Sequence, residues 1–151
     1  MNQINILLVE DNEDDVFIIK RVFKKLKVTN RLNVVSDGQE ALDYIFGEGE
    51  YADADNPTPG LILMDINMPR LNGFQAMEKL KAHPIYKVIP VIMLTVSDRD
   101  EDIVRSYQGG AVSYISKPMK FENFVKVIEQ FDIYWSLVSK IPEVKQEAGK
   151  R

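Results

Sequence analysis

Short aliphatic runs alternate along this chain with stretches of helical period. An apolar run over residues 4–9 is followed by Val16, Ile19, Phe23 and Leu26 at spacings of three and four, which is one face of a helix. Asp14 and Asp15 open that helix, Asn12 is placed to cap it, and Lys20, Arg21, Lys24, Lys25 and Lys27 crowd its later turns, matching the sign of the helix dipole at each end. The pattern then predicts a strand over 31–35, a turn at Asp37-Gly38, a helix over 40–46 and a strand ending at Asp65. A helix over about 73–82, a strand to Thr95, a helix over about 98–108, a strand to Ser116 and a helix from about Phe121 complete it. Such alternation predicts an α/β fold with a parallel sheet, because right-handed crossovers place helices on both faces. The nearly unbroken aliphatic strands agree, since strands covered on both faces need no polar side. Repeated βα units in one compact domain predict the flavodoxin-like, doubly wound strand order 2-1-3-4-5, with its switch point between strands one and three.

The charged residues fall where that fold would gather them. Glu10 and Asp11 close the first run, Asp65 the third and Thr95 the fourth, and Lys117 follows the fifth. In a parallel sheet these carboxyl ends share one edge and face one crevice. Three carboxylates beside one lysine call for a neutralising cation, and a hard divalent ion such as Mg²⁺ suits both the oxygen ligands and phosphoryl chemistry.

Composition narrows the classes. The chain has 151 residues, 45% of them hydrophobic, enough for one domain with a real core. A net charge of −4 argues against nucleic-acid binding, and the absence of cysteine excludes disulfides, thiolate metal sites and thiol catalysis. The apolar runs are strand-sized and the amino terminus lacks a signal-peptide layout, so a soluble, cytoplasmic protein without membrane association is expected. The long loop over 47–60 carries Glu48, Glu50, Asp53 and Asp55 but lacks the glycine and terminal glutamate of a calcium loop, and reads as solvated. His83, the sole histidine, precedes Pro84 and is expected to be an exposed helix end rather than a catalytic group.

Glu10-Asp11, Asp65 with Met68-Pro69 and Gly73, Leu94-Thr95, and Lys117-Pro118 together resemble the signature of response-regulator receiver domains. The resemblance spans about residues 4–132. Glu13-Asp14-Asp15, the insert at Gly47-Glu48-Gly49-Glu50-Tyr51 and the segment from Asp100 to Tyr107 are similar to stand-alone regulators that partner bacterial phytochromes. The resemblance implies that Asp65 accepts a phosphoryl group from a histidine kinase. It further implies that Asp11, Asp65 and the backbone carbonyl of Asn67 hold Mg²⁺, with Glu10 acting through water. Lys117 would pair with Asp65 and then with the phosphoryl group, and a cis peptide would precede Pro118. Thr95 and Tyr114 would form the switch that carries occupancy of Asp65 to the surface.

Two alternatives stand beside this reading. A Mg²⁺-dependent phosphohydrolase with an aspartyl nucleophile would want a second acid two residues on, where this chain has Asn67; a flavodoxin-like binding module would want glycine rather than acids after the first strand. Val96 stands where the family usually has a small residue after the threonine, and should narrow access to Asp65. From Phe121 apolar residues continue at helical spacing through Trp135 to Ile141, with Val127, Tyr134 and Leu137 adding a second face. The expectation is a receiver domain over 1–141 with an extended C-terminal helix, a disordered tail over 142–151 and no further output domain. A homodimer through helix four, strand five and helix five would bury the extra apolar surface.

Overall fold

The computed structural model describes residues 5–25, 31–53, 55–96 and 99–117, with Glu122 and Lys126 as isolated helical positions. Five strands, β1 (Ile6–Val9), β2 (Leu32–Val35), β3 (Leu61–Asp65), β4 (Val91–Thr95) and β5 (Ser113–Ser116), form one sheet in the order β2-β1-β3-β4-β5. Every neighbouring pair is parallel. Between them lie α1 (Glu13–Lys25), α2 (Gly38–Phe46), α3 (Gly73–Lys81) and α4 (Asp100–Gln108). This is the expected doubly wound arrangement, and no described helix is long and apolar enough to cross a membrane.

Side-chain alternation divides the sheet into two apolar faces. Ile6, Leu8, Leu61, Leu63, Ile92, Leu94 and Ile115 pack against Ile19, Val22 and Phe23 of α1. Leu7, Val9, Ile62, Met64, Val91 and Met93 pack on the other side, against α2 and α3. Buried aliphatic side chains of this size contribute about 1.5–3 kcal/mol each, so the central strands form a rigid platform for the loops at their carboxyl ends. α1 is oriented as its charges predict: Asn12 Oδ1 accepts from Asp15 N at 3.0 Å, acids fill the first turn, and Lys24 and Lys25 fill the last.

Two local expectations need correction. Asp37-Gly38 is not a separate turn, because α2 already begins at Gly38 with Asp37 as its cap, accepting from Glu40 N at 2.8 Å. Glu40 in turn accepts from Ser36 N at 2.8 Å, which fastens the chain just before the cap to the first turn of the helix. The loop over 47–60 is also more structured than a solvated connection. A 3₁₀ turn at Gly49–Tyr51 folds Tyr51 back onto Tyr44 and gives its hydroxyl to Glu40 at 2.7 Å, while Glu48, Glu50, Asp53 and Asp55 remain exposed.

His83 ends α3 as expected but is half-buried. Its Nδ1 accepts from the backbone N–H groups of Ile85 and Tyr86, and its ring stacks on Phe46 at 4.8 Å. The expected C-terminal helix, its extension and tail, and the peptide bond before Pro118 lie outside the described residues.

Candidate functional site

Strand register assembles the acidic crevice. Val9 pairs with Met64, so Glu10 and Asp65 lie side by side one position further on, both on the α1 face of the sheet. Glu10 is held by its backbone N–H on Val35 O at 3.0 Å, and its side chain accepts from Asn12 N at 3.1 Å. Asp65 is only 6% exposed, and Glu10 only 2%. The loop after Asp65 turns tightly because residue 73 is glycine. A Cβ there would lie 2.3 Å from the Asp65 carbonyl oxygen, and Gly73 N donates to Ile66 O at 2.8 Å.

Lys117 forms an ion pair with Asp65 but has two closer partners. Its Nζ donates to Glu10 Oε1 at 2.6 Å and to Asp15 Oδ2 at 2.8 Å, whereas Asp65 Oδ2 lies 3.6 Å away, beyond a good hydrogen bond. The lysine is therefore fastened first to Glu10 and Asp15, with Asp65 as a Coulombic neighbour. Asp15, expected only as a helix-opening acid, is thus part of the site. Its place in the first turn of α1, just after β1, marks only that it lies near the carboxyl edge; the reach of the lysine to it is a three-dimensional fact.

The charges do not balance. Glu10, Asp11 and Asp65 bring carboxylate oxygens within 4.8 Å of one another. At that separation two carboxylates repel by about 3 kcal/mol at an effective dielectric constant of about 20. Burial, and then the charge of Glu10, push Asp65 up to about 6, although Lys117 and the backbone N–H groups of Ile66 and Asn67 pull the other way. Burial alone would lower the Lys117 ammonium, but the hydrogen bonds to Asp15 and Glu10 and the charges of Asp65 and Glu10 outweigh it and raise its pKa. A divalent cation relieves this arrangement, and an all-oxygen donor set open to solvent at Asp11 fits a hard ion.

Thr95 and Tyr114 lie on the opposite face. Thr95 pairs with Ser116, two positions beyond Tyr114, so both project to the α3 side, where Tyr114 packs half-buried on the core and Thr95 is wholly buried. Thr95 O also accepts from Lys117 N at 2.6 Å, which ties the ends of β4 and β5 together. Val96, which directly follows β4 at the same edge of the sheet, is 69% exposed. The expected residues Glu10, Asp11, Asp65 and Lys117 are thus gathered on one side, with Thr95 and Tyr114 on the other side of the same edge.

An acidic pocket with a buried lysine at the carboxyl edge of a 2-1-3-4-5 sheet is the arrangement of a phosphoryl-receiving signalling domain. The family comparison agrees: the response regulator receiver domain matches residues 6–129, and the chain belongs to that family.

Among its relatives, the probable methanogenesis regulatory protein FilR2 of Methanothrix harundinacea is 35% identical over 131 residues, covering 86% of this chain and 82% of FilR2. Response regulator Rcp1 of Synechocystis sp. is 31% identical over 137 residues, covering 91% of this chain and 92% of Rcp1. Rcp1 has been solved in a Mn²⁺-bound form, to which this fold is similar with a TM-score of 0.75 over 87% of this chain and 94% of that one. The phosphorylated cyanobacterial phytochrome response regulator RcpA is 34% identical, with a TM-score of 0.75 over 89% of this chain and 94% of that one.

The crowding at Asp65 has a consequence for stability. A carboxyl whose folded pKa is raised favours folding only while protonated, so it costs stability progressively as pH rises from about 4 through about 6. In EDTA at pH 8, Asp65→Asn should melt higher than the parent by the equivalent of about 1–2 kcal/mol after allowance for solvent screening. The gain should shrink towards pH 4. Equal melting temperatures at pH 8 would remove the electrostatic account of the pocket.

Proposed function

We propose that the chain acts as a stand-alone response regulator in which Asp65 accepts a phosphoryl group from the phosphohistidine of a separate histidine kinase. The observation that carries this reading is the buried Asp65 carboxylate, crowded by Glu10 and approached by Lys117. A carboxylate oxygen of Asp65 attacks phosphorus, the P–N bond of the donor breaks, and its electron pair and a proton restore the donor imidazole. The product is an acyl phosphate.

The carboxylates of Asp11 and Asp65 and the carbonyl of Asn67 are the groups that would hold Mg²⁺, with Glu10 acting through water. Bound there, the ion supplies charge neutralisation for the incoming phosphoryl oxygens. Lys117 uses two of its three N–H donors on Glu10 and Asp15. Its third donor serves a phosphoryl oxygen on Asp65. The Thr95 hydroxyl turns toward the same group, and the space it leaves lets Tyr114 reorient, which is the switch that changes the surface of α4 and β5.

Similarity to the phytochrome response regulator RcpA supports a phytochrome-type kinase as the cytoplasmic partner. Slow self-dephosphorylation resets the domain. Val104, Tyr107 and Val112 leave apolar surface exposed on α4 and before β5, the face proposed for a homodimer. Sedimentation with beryllofluoride and Mg²⁺ should show a tighter dimer than without them, and a monomer in both conditions would exclude it.

With Mg²⁺ present, acetyl phosphate should label the protein with an alkali-labile phosphate. Asp65→Asn should abolish the label and Asp11→Asn should reduce its rate at least about tenfold, the scale of one lost charge-assisted contact. Persistent labelling of Asp65→Asn would sink the assignment. In the same assay the label should decay faster in Val96→Ala than in the parent, because the branched side chain at the mouth hinders water; identical decay would place control of access elsewhere.

A further inference from the structure

We propose that Arg70 is a positioning residue for the acceptor loop, anchoring residues 66–72 to the amino end of α2 through its paired hydrogen bonds to Asp37. The proposal rests on the reading of Asp65 and Asn67 given above, since its effect is felt through the loop that joins them to α3.

Arg70 Nε donates to Asp37 Oδ2 at 2.9 Å and its Nη2 donates to Asp37 Oδ1 at 3.1 Å, the two-pronged geometry that makes guanidinium–carboxylate pairs directional. Most exposed ion pairs contribute little, and Arg70 itself is largely exposed. Three observations separate this pair from that class. Asp37 is buried, with 11% of its side chain exposed, and its Oδ1 simultaneously caps α2 by accepting from Glu40 N. Burial alone would push its carboxyl up, but the Arg70 hydrogen bonds, the Glu40 N–H and the Arg70 charge outweigh it and hold the pKa below the usual carboxylate range.

Arg70 also has φ +64°, a left-handed conformation that an arginine does not adopt by preference. The surrounding contacts hold it there. Next to it Leu71 O accepts from Gly38 N at 3.1 Å, and a Cβ on residue 38 would come within 2.4 Å of that oxygen, so the two loops meet backbone to backbone. The far side of the anchor is equally fixed: Glu40 accepts from both Ser36 N and the Tyr51 hydroxyl.

The acceptor loop is therefore pinned at both ends, by Gly73 N on Ile66 O and by Arg70 and Leu71 on α2. Between those pins lies Asn67, whose carbonyl is assigned to the metal. Removing the Arg70 half of the second pin, with the Leu71–Gly38 backbone bond left in place, loosens the loop around that oxygen without touching any proposed ligand.

Calorimetric titration with Mg²⁺ alone tests this. Arg70→Ala and Asp37→Asn should each weaken Mg²⁺ binding about fivefold or more, and Arg70→Lys, which keeps the charge but not the fork, should recover part of the loss. Asparagine caps a helix as well as aspartate, so Asp37→Asn loses the paired interaction but keeps the cap. It should lower the melting temperature in EDTA no more than Arg70→Ala does while losing affinity, and at saturating Mg²⁺ the parent should gain more melting temperature than either variant, a separation that a purely structural role would not give. The double variant should be no weaker than the worse single variant, because both remove one interaction. Parent-like affinity in both single variants, or multiplied losses in the double variant, would overturn the proposal. Failure of the parent protein to bind Mg²⁺ would instead overturn the metal reading itself, and the inference with it.

Discussion

Everything at the carboxyl edge of this sheet is organised around an unbalanced charge. Glu10, Asp15 and Asp65 surround Lys117, whose ammonium hydrogen-bonds Glu10 and Asp15 and lies 3.6 Å from Asp65, and Asp11 adds a fourth carboxylate beside Glu10 and Asp65. Removing charges from water is costly unless they are paired and hydrogen-bonded, and one lysine cannot satisfy four carboxylates. The pocket is tolerated because the strands beneath it are packed on both faces. Stability stored in Leu8, Leu63, Ile92 and their neighbours offsets the repulsion that the site requires, a common division between scaffold and function.

The same imbalance makes the pocket selective for what it receives. An acidic crevice repels an anionic phosphoryl donor unless a cation is present, so the proposed reaction at Asp65 is linked by electrostatics to occupancy by a divalent ion. Lys117 stands between the two. Its backbone N–H bonds Thr95 O, and its ammonium holds Glu10 and Asp15, so movement at Asp65 is felt at the ends of β1, β4 and β5 and at the start of α1 together. Thr95 and Tyr114, the proposed switch residues, lie on the opposite face of the sheet.

Much of this was legible in the sequence because parallel strands announce themselves. Buried on both faces, they are written as continuous aliphatic runs, and the residue that ends each run must lie at one edge. Glu10, Asp11, Asp65, Thr95 and Lys117 could therefore be gathered before any coordinate was known. Choices made across three dimensions were less accessible. Which carboxylate a long lysine side chain selects depends on distances that chain order does not contain, so Asp15 entered only with the structure. Arg70 and Asp37 are 33 residues apart, and neither belongs to a recurring spacing. Asp37-Gly38 carried the sign of a turn, and only the approach of Leu71 O and the reach of Glu40 show why a helix begins there instead. The ring environment of His83 was hidden for the same reason, since Phe46 and Tyr86 meet it from different segments.

The claim that joins fold to function is that the buried carboxylate at the end of β3 is the group that becomes phosphorylated. Borohydride reduces an acyl phosphate of aspartate to homoserine, leaving a permanent mark where a labile one stood. Peptide mapping by tandem mass spectrometry, after phosphorylation in Mg²⁺ and reduction, should locate that mark at Asp65 alone. Homoserine at Asp11, Asp15 or any other aspartate, with Asp65 unmodified, would contradict the account.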